Sequence, residues 1–138
     1  MFKYNKLIFT RKFCDLYKRN LQRTFCDNSV KSPLSILFYG SDDFSIDSLR
    51  LLKRKFYRQQ EDSRSLRLLE VVTTSNNNLV WSYCKHSNLK CYLFDEYSLP
   101  QNRYDLGVVS SFGRLIPEKS INACKFGTLI CFYHIFID

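Results

Sequence analysis

The chain has 138 residues, room for one domain and not two, since domains commonly run to about 100–150 residues. With 45% apolar residues against 25% charged ones it can bury a core, which excludes a wholly disordered polymer. Four glycines, at 40, 107, 113 and 127, rule out a collagen repeat, a G-x-G-x-x-G turn and a Walker loop. No run approaches the roughly 20 apolar residues of a membrane helix, the longest being 129–137, interrupted by His134.

The net charge of +8 is uneven along the chain. Residues 1–31 hold eight of the 21 bases and two of the 13 acids, leaving only +2 on residues 32–138. On a helical wheel Phe9, Phe13, Leu16, Tyr17 and Leu21 gather on one side, opposite Arg11, Asp15, Lys18, Arg19 and Arg23. A basic, amphipathic start without Glu or a continuous apolar stretch reads as a mitochondrial transit peptide, cleaved before Pro33. A basic surface helix and a membrane-surface helix are the other readings of this pattern. Past the leader the chain is nearly neutral, unlike a folded nucleic-acid binder.

From Pro33 onward, L-S-I-L-F-Y at 34–39 predicts a strand ending at Gly40, with a tight turn into a helix. The helix places Phe44, Ser48, Leu49, Leu51, Leu52 and Phe56 on one face and Arg50, Lys53, Arg54 and Arg58 on the other. Asp42, Asp43 and Asp47 near its start suit the helix dipole, and its basic end reads as solvated rather than phosphate-binding. A polar loop at 59–67 precedes a β-branched strand at 68–73, then an Asn-rich break and a helix at 79–87. Trp81 and Tyr83 are expected to pack, and His86 to lie on the surface. Further strands are expected at 90–94, 105–109 and 128–132, with a short helix from Pro117 to about Cys124. Six cysteines, none in a C-x-x-C pair, and two histidines give no metal knuckle, so buried reduced thiols are expected. Strands apolar on both faces, alternating with helices, predict a parallel α/β sheet. Ligands bind such sheets at the carboxyl ends of strands, which directs attention to the turns after Tyr39 and Val109.

Those turns carry a resemblance. F-Y-G-S-D-D-F within 34–52, L-L-E-V-V-T at 68–73 and Y-D-L-G-V-V-S-S-F-G-R-L-I-P at 104–117 resemble the formyltransferase family that uses 10-formyltetrahydrofolate, in its mitochondrial methionyl-tRNA branch. The resemblance covers residues 33–129. It implies a Rossmann-like parallel sheet, incomplete here, with a folate pocket at Phe112, Gly113, Arg114, Leu115 and Ile116. It also implies 10-formyltetrahydrofolate as formyl donor, initiator methionyl-tRNA as acceptor, the mitochondrial matrix as location, a monomeric state and no membrane.

The family carries Asn-x-His on the strand that follows F-G-T-L at 126–129, aided by a later Asp. Here Ile130 and Phe132 stand at the Asn and His positions, so no catalytic residue is assigned. His134, two places further on, shares a strand face with the expected histidine and could stand in for it, though without the family's Asn and Asp partners. The chain thus divides into a transit peptide at 1–31, the N-terminal part of a formyltransferase domain at 33–129 and a divergent apolar tail at 130–138. The expectation is a C-terminally truncated form lacking catalytic side chains; the alternative is a non-catalytic folate-binding or regulatory fragment. A glycinamide ribonucleotide or amino-sugar formyltransferase is a third reading.

Overall fold

A computed structural model describes residues 33–57 and 66–131. The leader, the histidine at 134 and Phe132 lie outside the described residues. Five strands, β1 (Leu34–Tyr39), β2 (Leu66–Thr73), β3 (Lys90–Leu93), β4 (Leu106–Ser110) and β5 (Thr128–Cys131), form one sheet in the order β3-β2-β1-β4-β5. Every pairing is parallel, as the two-sided apolar strands required. The helices are α1 (Asp43–Tyr57), α2 (Leu79–His86) and the single turn α3 (Glu118–Ile121).

One sheet face is covered by helices. Ile36, Phe38, Leu69, Val71 and Val108 meet Leu49 of α1 and Val80 and Cys84 of α2, with Ile46, Leu52, Phe56 and Tyr83 around them. Full burial of each such side chain is worth about 1.5–3 kcal/mol. α1 is turned from its expected orientation. Ser45 and Leu49 face inward, whereas Phe44 and Leu51 are 50% and 61% exposed. Ser45 takes the inward place because Gly40 lets the turn run hard against it: a Cβ at Gly40 would lie 2.7 Å from Ser45 Cβ. The expected loop over 59–67 ends sooner than its polarity suggests. Leu66 is buried opposite Leu34, and Arg67 donates to Ser35 Oγ at 2.8 Å, which extends β2 by two residues.

α2 begins where Asn78 accepts the Trp81 N–H at 2.9 Å and donates to Thr73 Oγ1 at 2.7 Å. It ends as Asn88 turns to a φ of 55°. Tyr83 packs as expected, His86 is exposed, and Cys84, Cys91, Cys124 and Cys131 are free thiols, the first and third buried. No helix among the described residues is long and apolar enough to cross a membrane.

Among the described residues no helix crosses β1 and β2 on the second face. Its cover is the irregular strap 94–104 between β3 and β4, whose Phe94, Tyr97, Leu99 and Tyr104 pack on Leu37, Tyr39, Leu68 and Val72. The strap is fastened through Glu70, 2% exposed in the middle of β2. Arg103 Nη2 lies 2.9 Å and Lys90 Nζ 3.7 Å from its Oε1, while the Tyr104 hydroxyl donates to Oε2. Tyr97 then donates to Tyr104 at 2.6 Å. Burial, with the hydrogen bonds to Glu70 and Tyr97, holds the Tyr104 phenol well above the usual tyrosine range.

Glu70→Ala removes bonds to a charged acceptor, worth about 1–3 kcal/mol in thermal unfolding. Lys90→Ala, at 62% exposure and longer range, costs measurably less. The reverse ranking would locate the fastening elsewhere.

Candidate functional site

β1 and β4 are neighbours in space although β2 and β3 separate them in sequence. From β1 the chain turns to the helical face, into α1; from β4 it turns to the strap face, where Phe112 and Ile116 pack. The two connections part at the carboxyl edge and open a crevice at the point where strand order reverses.

Both turns are tied at the base of this opening. Ser41 donates its N–H to Ser111 O at 3.3 Å and its hydroxyl to Phe112 O at 2.6 Å. Asp42 caps α1 by accepting the Ser45 N–H at 3.2 Å, and Ser45 Oγ accepts the Asp42 N–H in return at 3.2 Å. This is a capping box with serine in the usual Glu place. The other Asp42 carboxylate oxygen accepts the Ser111 hydroxyl, joining the β1 and β4 turns. Ser111 and Gly113 hold φ values of 48° and 74°, so the loop bends sharply outward.

The structure brings the sequence-predicted loop 112–116 to the crevice, each residue in its own way. Phe112, 3% exposed, wedges edge-on between Tyr39 and Phe94, with ring centroids 5.4 and 5.1 Å away. Gly113 has no side chain to fill the opening; a Cβ there would meet only Ser41 Oγ, at 3.8 Å. Arg114 donates to Asp95 at 2.8 Å and lies 5.6 Å from the Phe94 ring centroid. Both partners are about half exposed or more, so the pair orients the loop and adds little stability. Leu115 stands at the lip with 87% exposure, which leaves it no part in the core, and Ile116 is half-buried.

The cavity measures about 620 Å³, within the usual range for small-molecule sites. Beyond loop 111–116 its walls include Asp42 and Phe44 of the first turn, Ile121, and Thr128 and Ile130 of β5. Ile130, 41% exposed, thus lies in the crevice wall. Its side chain offers neither donor nor acceptor. The polar side chains of the wall are Asp42, Ser111, Arg114, Thr128 and the Cys131 thiol, Asp42 and Ser111 bonded to each other and Thr128 Oγ1 donating to Ile121 O at 3.1 Å. Such a site can hold a flat, mainly apolar ligand against backbone groups. Among the described residues no cluster of three His, Cys, Asp or Glu could hold a metal.

Sequence reasoning located the turns but passed over Phe44, Ile121 and Thr128 as wall residues. Phe44 was legible in principle: it follows an N-cap by two places, at the exposed start of the helix. Ile121 and Thr128 carry no local signal, because the β4–β5 connection alone brings them to the opening.

No family model matches the chain. Among curated proteins it is similar to the mitochondrial methionyl-tRNA formyltransferase of Bos taurus, 34% identical over 103 residues, which is 72% of this chain and 25% of that protein. The Rattus norvegicus protein of the same name is 36% identical over 72% of this chain and 26% of its own length, and that of Homo sapiens 34% over 72% and 25%. The chain spans about a quarter of the length of the curated relatives it matches.

Asp42→Ala removes both the helix cap and the Ser111 anchor, and lowers unfolding stability by about 1–2 kcal/mol. Asp42→Asn, which keeps an acceptor for the Ser45 N–H, recovers most of that loss in the same denaturation measurement.

Proposed function

The chain is a relative of mitochondrial methionyl-tRNA formyltransferases, and we propose that it carries a folate-binding crevice of that kind without the side chains that transfer the formyl group. One observation carries this reading: the loop bearing S-F-G-R-L-I, which most resembles the family, is the loop that lines the cavity at the switch point. The walls fit a folate. A fused flat ring can lie between apolar side chains, and its amide-like edge can pair with backbone N–H and C=O groups of 112–116. The glycine at 113 leaves that backbone open to close approach. The donor in this reading is 10-formyltetrahydrofolate and the acceptor initiator methionyl-tRNA.

Formyl transfer is acyl transfer. The methionyl amine attacks the formyl carbon, a negatively charged oxygen must be stabilised, and a proton must reach the departing folate nitrogen. The wall position where the resemblance calls for Asn is Ile130, and a hydrocarbon can do neither task. Phe132, at the expected His position, is equally unsuited by chemistry. In this reading the chain binds the donor as a monomer and acts as a non-catalytic or regulatory folate-binding form. Residues 1–31 direct it to the mitochondrial matrix, are removed on import and leave the domain beginning near Pro33. What supports that location is the basic amphipathic leader and the mitochondrial name of the relatives.

Losing an oxyanion donor costs about 10²–10³ in rate, and losing the proton carrier about 10²–10⁴ more. The chain incubated with 10-formyltetrahydrofolate and methionyl-tRNA therefore yields formyl-methionyl-tRNA at or near background, measured beside a longer version with Asn-x-His after Leu129. Comparable rates from the two would overturn the reading.

Binding is tested separately. Leu115→Asp sets a charge at the exposed lip without disturbing the core, so titration with 5-formyltetrahydrofolate, a stable analogue, shows affinity weakened about tenfold or more while circular dichroism is unchanged. Equal affinity would remove the loop from the pocket.

A further inference from the structure

The end of α2 places two thiols against each other. Asn88 takes a φ of 55°, so Leu89 donates its N–H back to Cys84 O at 2.9 Å and Asn88 donates to Lys85 O at 3.4 Å. This is a Schellman closure, and it sends the chain from the last turn of α2 directly into β3. Leu89 is buried in the cluster beneath the helices. Alternation along an extended chain puts Cys91, two places later, on the same side, where it packs against the cluster that contains Cys84. The two thiols are hydrogen-bonded to each other.

The partners differ. Cys84 is fully buried, whereas Cys91 is half-buried on β3, at the edge of the sheet. The hydrogen bond with Cys84, then the Lys85 ammonium and the Tyr92 N–H, hold the Cys91 thiol below the ordinary range against the desolvation of its site. The same hydrogen bond, with burial, pushes Cys84 up. Cys124, on the opposite face of the sheet, is raised by burial. A partly accessible thiolate beside a protonated thiol is the arrangement in which oxidation at one sulfur is completed by the other.

We propose that Cys91 and Cys84 form a redox site that reacts with hydrogen peroxide, Cys91 as the attacking sulfur and Cys84 as the resolving one. The Cys91 thiolate attacks one peroxide oxygen and the O–O bond breaks; the departing hydroxide takes a proton from solvent and leaves as water. Cys91 is then a sulfenic acid, oxidised by two electrons. Cys84 Sγ attacks Cys91 Sγ, an S–S bond forms as the S–O bond breaks, and the Cys84 proton leaves with the hydroxide as a second water. The two steps consume one peroxide and two thiols and end in a disulfide between α2 and β3. A small-molecule thiol restores the pair by exchange. None of this depends on folate binding.

The test treats the reduced full chain with hydrogen peroxide, caps the remaining thiols with N-ethylmaleimide in denaturant and digests with trypsin without reductant. Cleavage after Arg67, Lys85, Lys90 and Arg103 gives peptides 68–85 and 91–103, each with one cysteine, and Cys124 falls in 120–125. Joined 68–85 and 91–103 should appear about tenfold or more faster than oxidation within 120–125, and should separate on treatment with dithiothreitol. In C84S, peptide 91–103 should carry a sulfenic acid trapped by dimedone. In C91S of unchanged circular dichroism, peptide 68–85 should be recovered as the capped thiol. The comparison within the unaltered chain decides the matter if either variant folds poorly. Failure of the two peptides to join, joining no faster than oxidation of Cys124, or attachment of Cys91 chiefly to another cysteine overturns the proposal. So does undiminished oxidation of Cys84 in folded C91S.

Discussion

A carboxylate in the middle of a buried strand governs how this sheet is closed. Parallel strands need both faces covered, and among the described residues full helices lie on one face. The other is covered by the strap 94–104, which must be held by its side chains. Glu70 supplies that hold by drawing Arg103, Lys90 and Tyr104 onto one buried acceptor group. Burying a carboxylate is costly unless it is paired and hydrogen-bonded, so the strap and the acid require each other. The near end of the strap then carries the effect to the crevice: Phe94 meets Phe112 edge-on, and Asp95 takes the Arg114 guanidinium. The loop that lines the cavity is thus braced from the strap on one side and from Asp42 on the other.

This bracing matters more than the polarity of the walls. Asp42 and Ser111 lie at the opening, yet they are bonded to each other and serve to join the β1 and β4 turns. Phe112, Ile116, Ile121 and Ile130 leave the interior largely apolar. A site of that composition binds through shape and exposed backbone. Binding and catalysis are separable in such an architecture, because the crevice comes from strand order while the chemistry would come from individual side chains on β5 and beyond.

Much of the architecture was legible because it is written in local signals. Gly40 after an apolar run, the Asp-rich start of α1 and the apolar stretch ending at Val109 announce strand, turn and helix without reference to the rest of the chain. The loop 112–116 could be placed for the same reason. Glu70 could not. Within L-L-E-V-V-T it reads as a lapse in a hydrophobic strand, and its partners at 103 and 104 are brought to it only by the crossover from β3 to β4. Leu66 and Arg67 were hidden by the polar residues before them, since pairing with β1 decides where β2 begins. Phe44 and Leu51 failed for another reason: helical periodicity identifies an apolar stripe but not its rotation, which Gly40 and Ser45 set through a close backbone approach.

The most direct measurement of the crevice as a folate site is amide hydrogen exchange on the full chain with and without 5-formyltetrahydrofolate. Exchange is predicted to slow at 112–116, at the 41–45 turn and at Ile130, with the α1–α2 face unaffected. Protection absent from those amides, or confined to the helical face, would contradict a folate-binding crevice at the β1–β4 switch point.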